Sequence, residues 1–233
     1  TRDWSSDVCS SDLLIYCSIS SYGQTGPYAT WPGYDLIIQG MSGLMGITGE
    51  KERPPVRVGV AVTDLNAGMY ATMAILSALR VRDQRGIGQY LDVSMMDAAV
   101  SWLTYMAGGY FASGKVPERM GGAHPSIVPY QTFEAGDGKF LLVASGNDRL
   151  FKVLCEVMEM QHLVIDPMYS TNPVRVENRE ILVPIVQERL LTKPRDEWLT
   201  KLRESGFPCA PVNAMDERSE ERRVGKECRS RWS

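Results

Sequence analysis

Histidine is almost absent from this chain of 233 residues, with two in all, and neither charge sign dominates: 25 Lys and Arg face 28 Asp and Glu, a net charge of -3. Without a strong positive field nothing holds a nucleic-acid backbone or an anionic membrane, so polyanion binding is disfavoured as the main activity. Close cysteine pairs are missing too. The five cysteines stand at Cys9, Cys17, Cys155, Cys209 and Cys228, an odd number without C-x-x-C spacing or a secretory leader. That implies neither a disulfide framework nor a zinc knuckle, leaves no metal site in view, and fits a reducing cytoplasm. No apolar run reaches bilayer length. The nearest, Ala98 to Ala112, is fifteen residues broken by Ser, Thr and Gly, short of the roughly 20 that span a membrane; it reads as buried helix.

What is present is the balance of an ordinary globular protein, 44% hydrophobic and 23% charged, with length for one large domain or two small ones. The ends differ from the middle. Residues 1–13 are rich in Ser and Asp, residues 218–233 in charge, and neither carries apolar periodicity; both read as non-native flanks and stay outside the fold argument.

Between them, Leu14 to Ser20 reads as a strand and Ser21 to Asp35 as a Gly/Pro-rich loop. Thr63 is placed to cap a helix that runs to Arg82, with Leu65, Met69, Thr72, Leu76 and Leu79 on one face that is expected to be buried. A short strand, Gln89 to Val93, leads into a second helix capped by Ser94 and running through Phe111, apolar on nearly all sides. Strand, helix, strand, helix predicts a parallel sheet layered with helices. A polar, Gly-rich connection after Gly114 marks a domain boundary. Beyond it come a hairpin, Tyr130 to Glu134 and Lys139 to Ala144 through Gly136-Asp137-Gly138, then helices over 148–158, 177–191 and 194–205 and an extended FPCAPVN segment.

The segment GQYLDVSMMDAAV delivers one carboxylate, Asp97, to the first turn of a helix that leaves the end of a strand, the edge where ligands favour open α/β sheets. An apolar wall there would leave the carboxylate poorly hydrated and more nucleophilic. Ser94-x-x-Asp97 is equally the spacing of a capping box, in which the acid only satisfies backbone donors. Spacing alone leaves both readings open.

The ordered blocks SYGQTGP, PGYDLIIQGMSGLMGITGE, VGVAVTDLNAGMYA, GQYLDVSMMDAAV, GGAHPSIVPYQTF and FPCAPVNAMDE resemble the family III CoA-transferases, a group that includes alpha-methylacyl-CoA racemases. The resemblance spans Leu14 to Glu217. It implies an α/β fold: an incomplete Rossmann-like large domain over 14–111, a linker over 112–119 and a smaller α+β domain over 120–217. It also implies that Asp97 is the catalytic nucleophile, acylated by a coenzyme A thioester substrate and relayed through an aspartyl-CoA thioester to a carboxylic acid, with no permanently bound cofactor. The full-length parent is expected to be an interlocked homodimer, with no nucleic-acid or membrane partner.

By the same resemblance Tyr34 and Asp35 lie at the substrate site, where racemase relatives carry a histidine and an acid. A phenol, with a reference pKa of about 10, is a poor general base at neutral pH, so racemisation is demoted. Gly121, Gly122 and His124 match a flexible loop that closes near the aspartate, with His124 a candidate donor to a substrate carboxylate. The chain lacks the first part of the family's large domain and its return. A non-catalytic truncated domain is therefore the rival reading, and an acyl-CoA racemase the weaker one.

Overall fold

The computed structural model describes residues 12–217, so the expectations for residues 1–11 and 218–233 lie outside it. The chain divides between Gly121 and Gly122 into two compact units. The fold is α/β. In the first unit, β1 (Ile15–Ser20) leads through α1 (Asp35–Met41), α2 (Leu44–Ile47) and α3 (Val62–Arg85) to β2 (Gln89–Ser94), then α4 (Met95–Ser101) and α5 (Thr104–Ser113). β1 and β2 pair in parallel, from Ile15 opposite Gln89 to Ser20 opposite Ser94. This pairing requires the helical crossover between them, since parallel neighbours cannot be joined by a tight turn.

Four expectations for this unit are corrected. The face of α3 that carries Leu65, Met69, Thr72 and Leu76 is exposed, whereas Thr63, Asn66, Ala67, Ala71 and Ala78 are buried. Small side chains let the helix axis come close to the strands and α4, so the alanine stripe wins the inner position and the bulky stripe, a quarter-turn or more away, faces outward. Thr63 is not the N-cap either; Ala61 is, and Thr63 is the second residue of the helix. The single helix expected after Ser94 is two, α4 and α5, interrupted at Trp102–Leu103, with Thr104 at φ 36°. A β-branched residue at positive φ does not belong in a regular helix. Described α5 residues are not buried, contrary to the reading of Ala98 to Ala112 as an interior segment.

The second unit is a three-stranded antiparallel sheet in the order β3 (Tyr130–Glu134), β4 (Phe140–Ala144), β5 (Cys209–Pro211). It packs with α6 (Asp148–Val157), α7 (His162–Ile165), α8 (Asn172–Glu177), α9 (Arg179–Leu190) and α10 (Arg195–Glu204). Strand alternation behaves as expected: Leu141 and Val143 are buried while Phe140 and Leu142 are exposed. Phe133, Phe151, Leu154, Leu182, Val186, Leu190, Trp198 and Leu202 close one core. Each such side chain contributes roughly 1.5–3 kcal/mol on burial, so this unit holds most of the large apolar burial in the chain. Trp198 also donates through Nε1 to Leu190 O at 2.9 Å, satisfying its one polar atom.

Asp137, read from sequence only as a turn residue, does more. Its Oδ1 accepts from Arg195 N at 3.1 Å and from Lys139 N at 3.4 Å, pinning the start of α10 to the hairpin tip. Desolvation alone would raise this carboxyl, but the backbone N–H donors and the Lys139 charge outweigh it and hold it below the ordinary carboxylate range. A depressed folded-state pKa contributes stability above the unfolded value of about 4 and loses it as pH falls through the folded value. Urea midpoints measured from about pH 6 downward should therefore fall more steeply below pH 4 for the native protein than for Asp137→Asn; identical acid limbs would remove this role.

Candidate active site

The site is built where β2 ends. Ser94, 6% exposed, caps α4 by accepting from Asp97 N at 3.1 Å through Oγ. Met96 N donates to Ser21 O at 3.0 Å, tying the loop after β1 to the first turn of α4. From the neighbouring helix α3, Asn66 donates through Nδ2 to Ala98 O at 2.7 Å. Met95, Ala98 and Ala99 form the buried stripe of α4, and Asp97, off that stripe, is exposed. The backbone of Asp97 is thus anchored on three sides while its carboxylate faces water. The poorly hydrated environment expected for it is not what the structure shows, because helix periodicity turns position 97 away from the core.

Asp35 sits at the first residue of α1 and is half-buried. Its Oδ1 accepts from Thr63 N and Thr63 Oγ1, both at 2.9 Å, and its Oδ2 from Gln39 Nε2 at 2.7 Å. It therefore works as a cap supplied across the fold to the start of α3, satisfying a backbone donor that the helix leaves orphaned. Gln39, fully buried, passes the link on by accepting from Val58 N at 2.8 Å. Tyr34, the N-cap position of α1, is 79% exposed.

Gly121 and Gly122 straddle the division between the units, and each has a steric reason to be glycine. Gly121 has φ 59°, and a Cβ there would lie 2.5 Å from the Glu50 carboxylate oxygens, while its N–H donates to Gly49 O at 2.8 Å. A Cβ on Gly122 would lie 2.7 Å from Thr132 Oγ1. Close approach accounts for both without invoking hinge motion. His124, in the second unit, is half-buried, with its N–H donating to Tyr130 O at 2.9 Å and its ring 5.2 Å from that of Tyr130. Burial and the nearby Arg179 charge lower its pKa from the ordinary histidine value.

Sequence reasoning missed the supporting polar residues. Asp92, exposed on β2, accepts from Gln24 N at 2.8 Å through Oδ2 and so straps the Gly-rich loop to the strand end. Its position in the alternation of QYLDV could have marked it as facing that loop. Thr63 was marked in the sequence only as a cap, and Asn66, buried beside it on the inner face of α3, had no signal beyond the i, i+3 spacing. Cys155 is buried and its thiol pushed up to about 12 by desolvation, so it is an inert core group. Among the described residues no group of three or more His, Cys, Asp or Glu could hold a metal ion. No described helix is long and apolar enough to cross a membrane.

The family model for CoA-transferase family III matches residues 11–227. The chain belongs to CoA-transferase family III. It is 43% identical over 202 residues to a succinyl-CoA:glutarate CoA-transferase of Mus musculus, an alignment covering 87% of this chain and 46% of that protein. It is 40% identical over 200 residues to an acetyl-CoA:oxalate CoA-transferase of Acetobacter aceti, covering 85% and 51%. The crystal structure of a CaiB/BaiF family protein from Brucella suis superposes with a TM-score of 0.79 at 42% identity, covering 93% of this chain and 57% of that one. The family III chain described here spans about half the length of the curated relatives it matches.

Proposed function

We propose that this chain forms part of an enzyme that moves CoA between an acyl-CoA and a free dicarboxylate, with Asp97 as the covalent relay. The single observation that supports the chemistry most is the presentation of Asp97: a carboxylate on a backbone fixed by Ser94, Ser21 and Asn66, at the carboxyl end of a parallel strand pair. The substrate class follows from relatives named for succinyl-CoA, glutarate and oxalate.

An Asp97 oxygen attacks the thioester carbonyl; the C–S bond breaks and CoA leaves as thiolate. The thiolate attacks the Asp97 carbonyl carbon of the resulting mixed anhydride, expelling the donor as carboxylate and leaving an aspartyl-CoA thioester. An acceptor carboxylate then attacks that thioester, CoA again departs as thiolate, and it attacks the acceptor's carbonyl in the new anhydride, regenerating Asp97. Each step exchanges one activated acyl bond for another of similar energy, which a serine ester could not do. Either intermediate is open to hydrolysis, so the water that reaches Asp97 in the free protein must be displaced when substrate binds.

In this reading His124 donates a hydrogen bond to a substrate carboxylate, and Tyr34, Gly121 and Gly122 contribute contact surface. Asp35 acts through the helix α3 start, since its carboxylate oxygens are already engaged. The full-length protein works as an interlocked homodimer in the cytoplasm. Tyr34 in place of a basic imidazole argues against racemisation. The exposure of Asp97 favours a second reading, in which this polypeptide by itself only binds or assembles.

Purified protein given succinyl-CoA and carbon-labelled glutarate is expected to produce labelled glutaryl-CoA as fast as succinyl-CoA disappears. Loss of succinyl-CoA to hydrolysis alone would count against transfer, absence of any turnover would favour the second reading, and deuterium uptake at an alpha carbon would favour a racemase.

A further inference from the structure

The most developed polar arrangement away from Asp97 lies in the second unit, where side chains of α8 and of the start of α9 grip successive groups of the segment from His124 to Val128. Asn172 donates through Nδ2 to Ser126 O at 2.8 Å and accepts through Oδ1 from Val128 N at 3.1 Å. Arg175 donates through Nε to Val128 O at 2.9 Å. Arg179, the first residue of α9, donates through Nη2 to His124 O at 2.7 Å and to Pro125 O at 3.0 Å. Asn172 and Arg175, three residues apart, share a face of α8, and Arg179 follows from the first residue of α9. The segment is thereby splinted at nearly every carbonyl.

Inside that splint the imidazole has little choice of state. Ser126 N lies 3.2 Å from His124 Nδ1. A backbone N–H can only donate, so this contact favours Nδ1 as acceptor and the ring proton on Nε2, the state in which Ser126 Oγ, 3.4 Å from Nδ1, also donates to it. Protonating Nδ1 would break that bond and set a second cation beside the Arg179 guanidinium, in the same sense as the lowering caused by burial and Arg179.

We propose that Arg179 is a positioning residue, fixing the main chain at His124 and Pro125 so that the imidazole is preorganised as a neutral Nε2–H donor for a substrate carboxylate. The substrate half of this statement rests on the function proposed above; the positioning half stands on the second unit alone. Arg179 touches no reacting atom in this scheme and acts through His124.

Nitrogen-15 NMR of the full chain tests it, because the sequence has two histidines and His162→Gln assigns their ring signals. In the otherwise native protein, His124 should show an unprotonated Nδ1 and a protonated Nε2, titrating below the ordinary value of about 6.5. In Arg179→Met the two tautomers should mix and the midpoint rise, with burial still holding it below the ordinary value of about 6.5. In Arg179→Lys, whose ammonium can still donate to both carbonyls, the native tautomer should persist. Amide exchange of the β3–β4 hairpin reports whether each variant is folded. Should Arg179→Met unfold, the native titration and Arg179→Lys decide the matter. A protonated Nδ1 in the native protein, or a folded Arg179→Met with unchanged tautomer and midpoint, or an Arg179→Lys that behaves as a tautomer mixture, would overturn the proposal. These outcomes are independent of CoA transfer, so a protein with the expected tautomer and no transfer activity would sink the proposed function and leave the positioning role standing.

Discussion

Asp97→Asn is expected to lower CoA transfer by about four to six orders of magnitude, the loss seen when the nucleophile of a covalent route is removed. The same change should leave the fold almost untouched. The bond that caps α4 runs from the backbone N–H of residue 97 to Ser94 Oγ, and asparagine keeps that N–H and the side-chain shape. The anchors from Ser21 and Asn66 are to neighbouring backbone groups and also survive. Initial rates with succinyl-CoA and glutarate, set beside urea denaturation midpoints, therefore separate the two readings that spacing left open. A cap acid predicts a stability loss of at most about 1 kcal/mol and little change in rate; a nucleophile predicts the reverse.

Arg175→Ala is expected to cost about 3–5 kcal/mol of unfolding free energy, a large share of the roughly 5–15 kcal/mol that a domain possesses. Arg175 is fully buried. It donates to Val128 O and Tyr169 O, each at 2.9 Å, and to Asp148 Oδ1 at 2.7 Å, and its guanidinium lies 4.3 Å from the centroid of the Phe151 ring. Truncation would strand two carbonyls away from water and open a cavity beside Phe151. Asp148, in contrast, is 56% exposed; Asp148→Asn keeps an oxygen that can accept from Arg175 but removes the counter-charge of a buried guanidinium, and should cost about 1–3 kcal/mol, less than the truncation. Equilibrium urea unfolding followed by circular dichroism checks both; equal losses would mean that the ion pair, and not the carbonyl contacts, carries the stability.

The outline of the fold was legible because it depends on local chemistry. The strands at 15–20 and 89–94, the hairpin around Asp137, the cap at Ser94 and the helix ending before Gly206 all follow from alternation, turn residues and capping groups that neighbours in sequence supply. Burial was less legible. In α3 the larger hydrophobes gave the stronger periodic signal, yet the alanine stripe packs inward, because what matters there is how near the helix can approach. Arg175 in PVRVENRE looks like any solvated arginine. Only the tertiary arrangement brings Val128, Tyr169 and Asp148 to it. At the site, the position of Asp97 was predictable from the strand-to-helix junction, whereas its exposure depends on the angle at which α4 leaves β2. Asp35 was marked by its family position as a substrate residue, and the structure gives its carboxylate three hydrogen bonds within the fold.

The account turns on covalent relay through one carboxylate, and the most direct measurement is the mass of the peptide that contains Asp97. Protein mixed with succinyl-CoA and quenched with hydroxylamine should carry a hydroxamate at Asp97, absent without the acyl-CoA and absent in Asp97→Asn. Sustained transfer of CoA to glutarate with that peptide unmodified at every time point would contradict it.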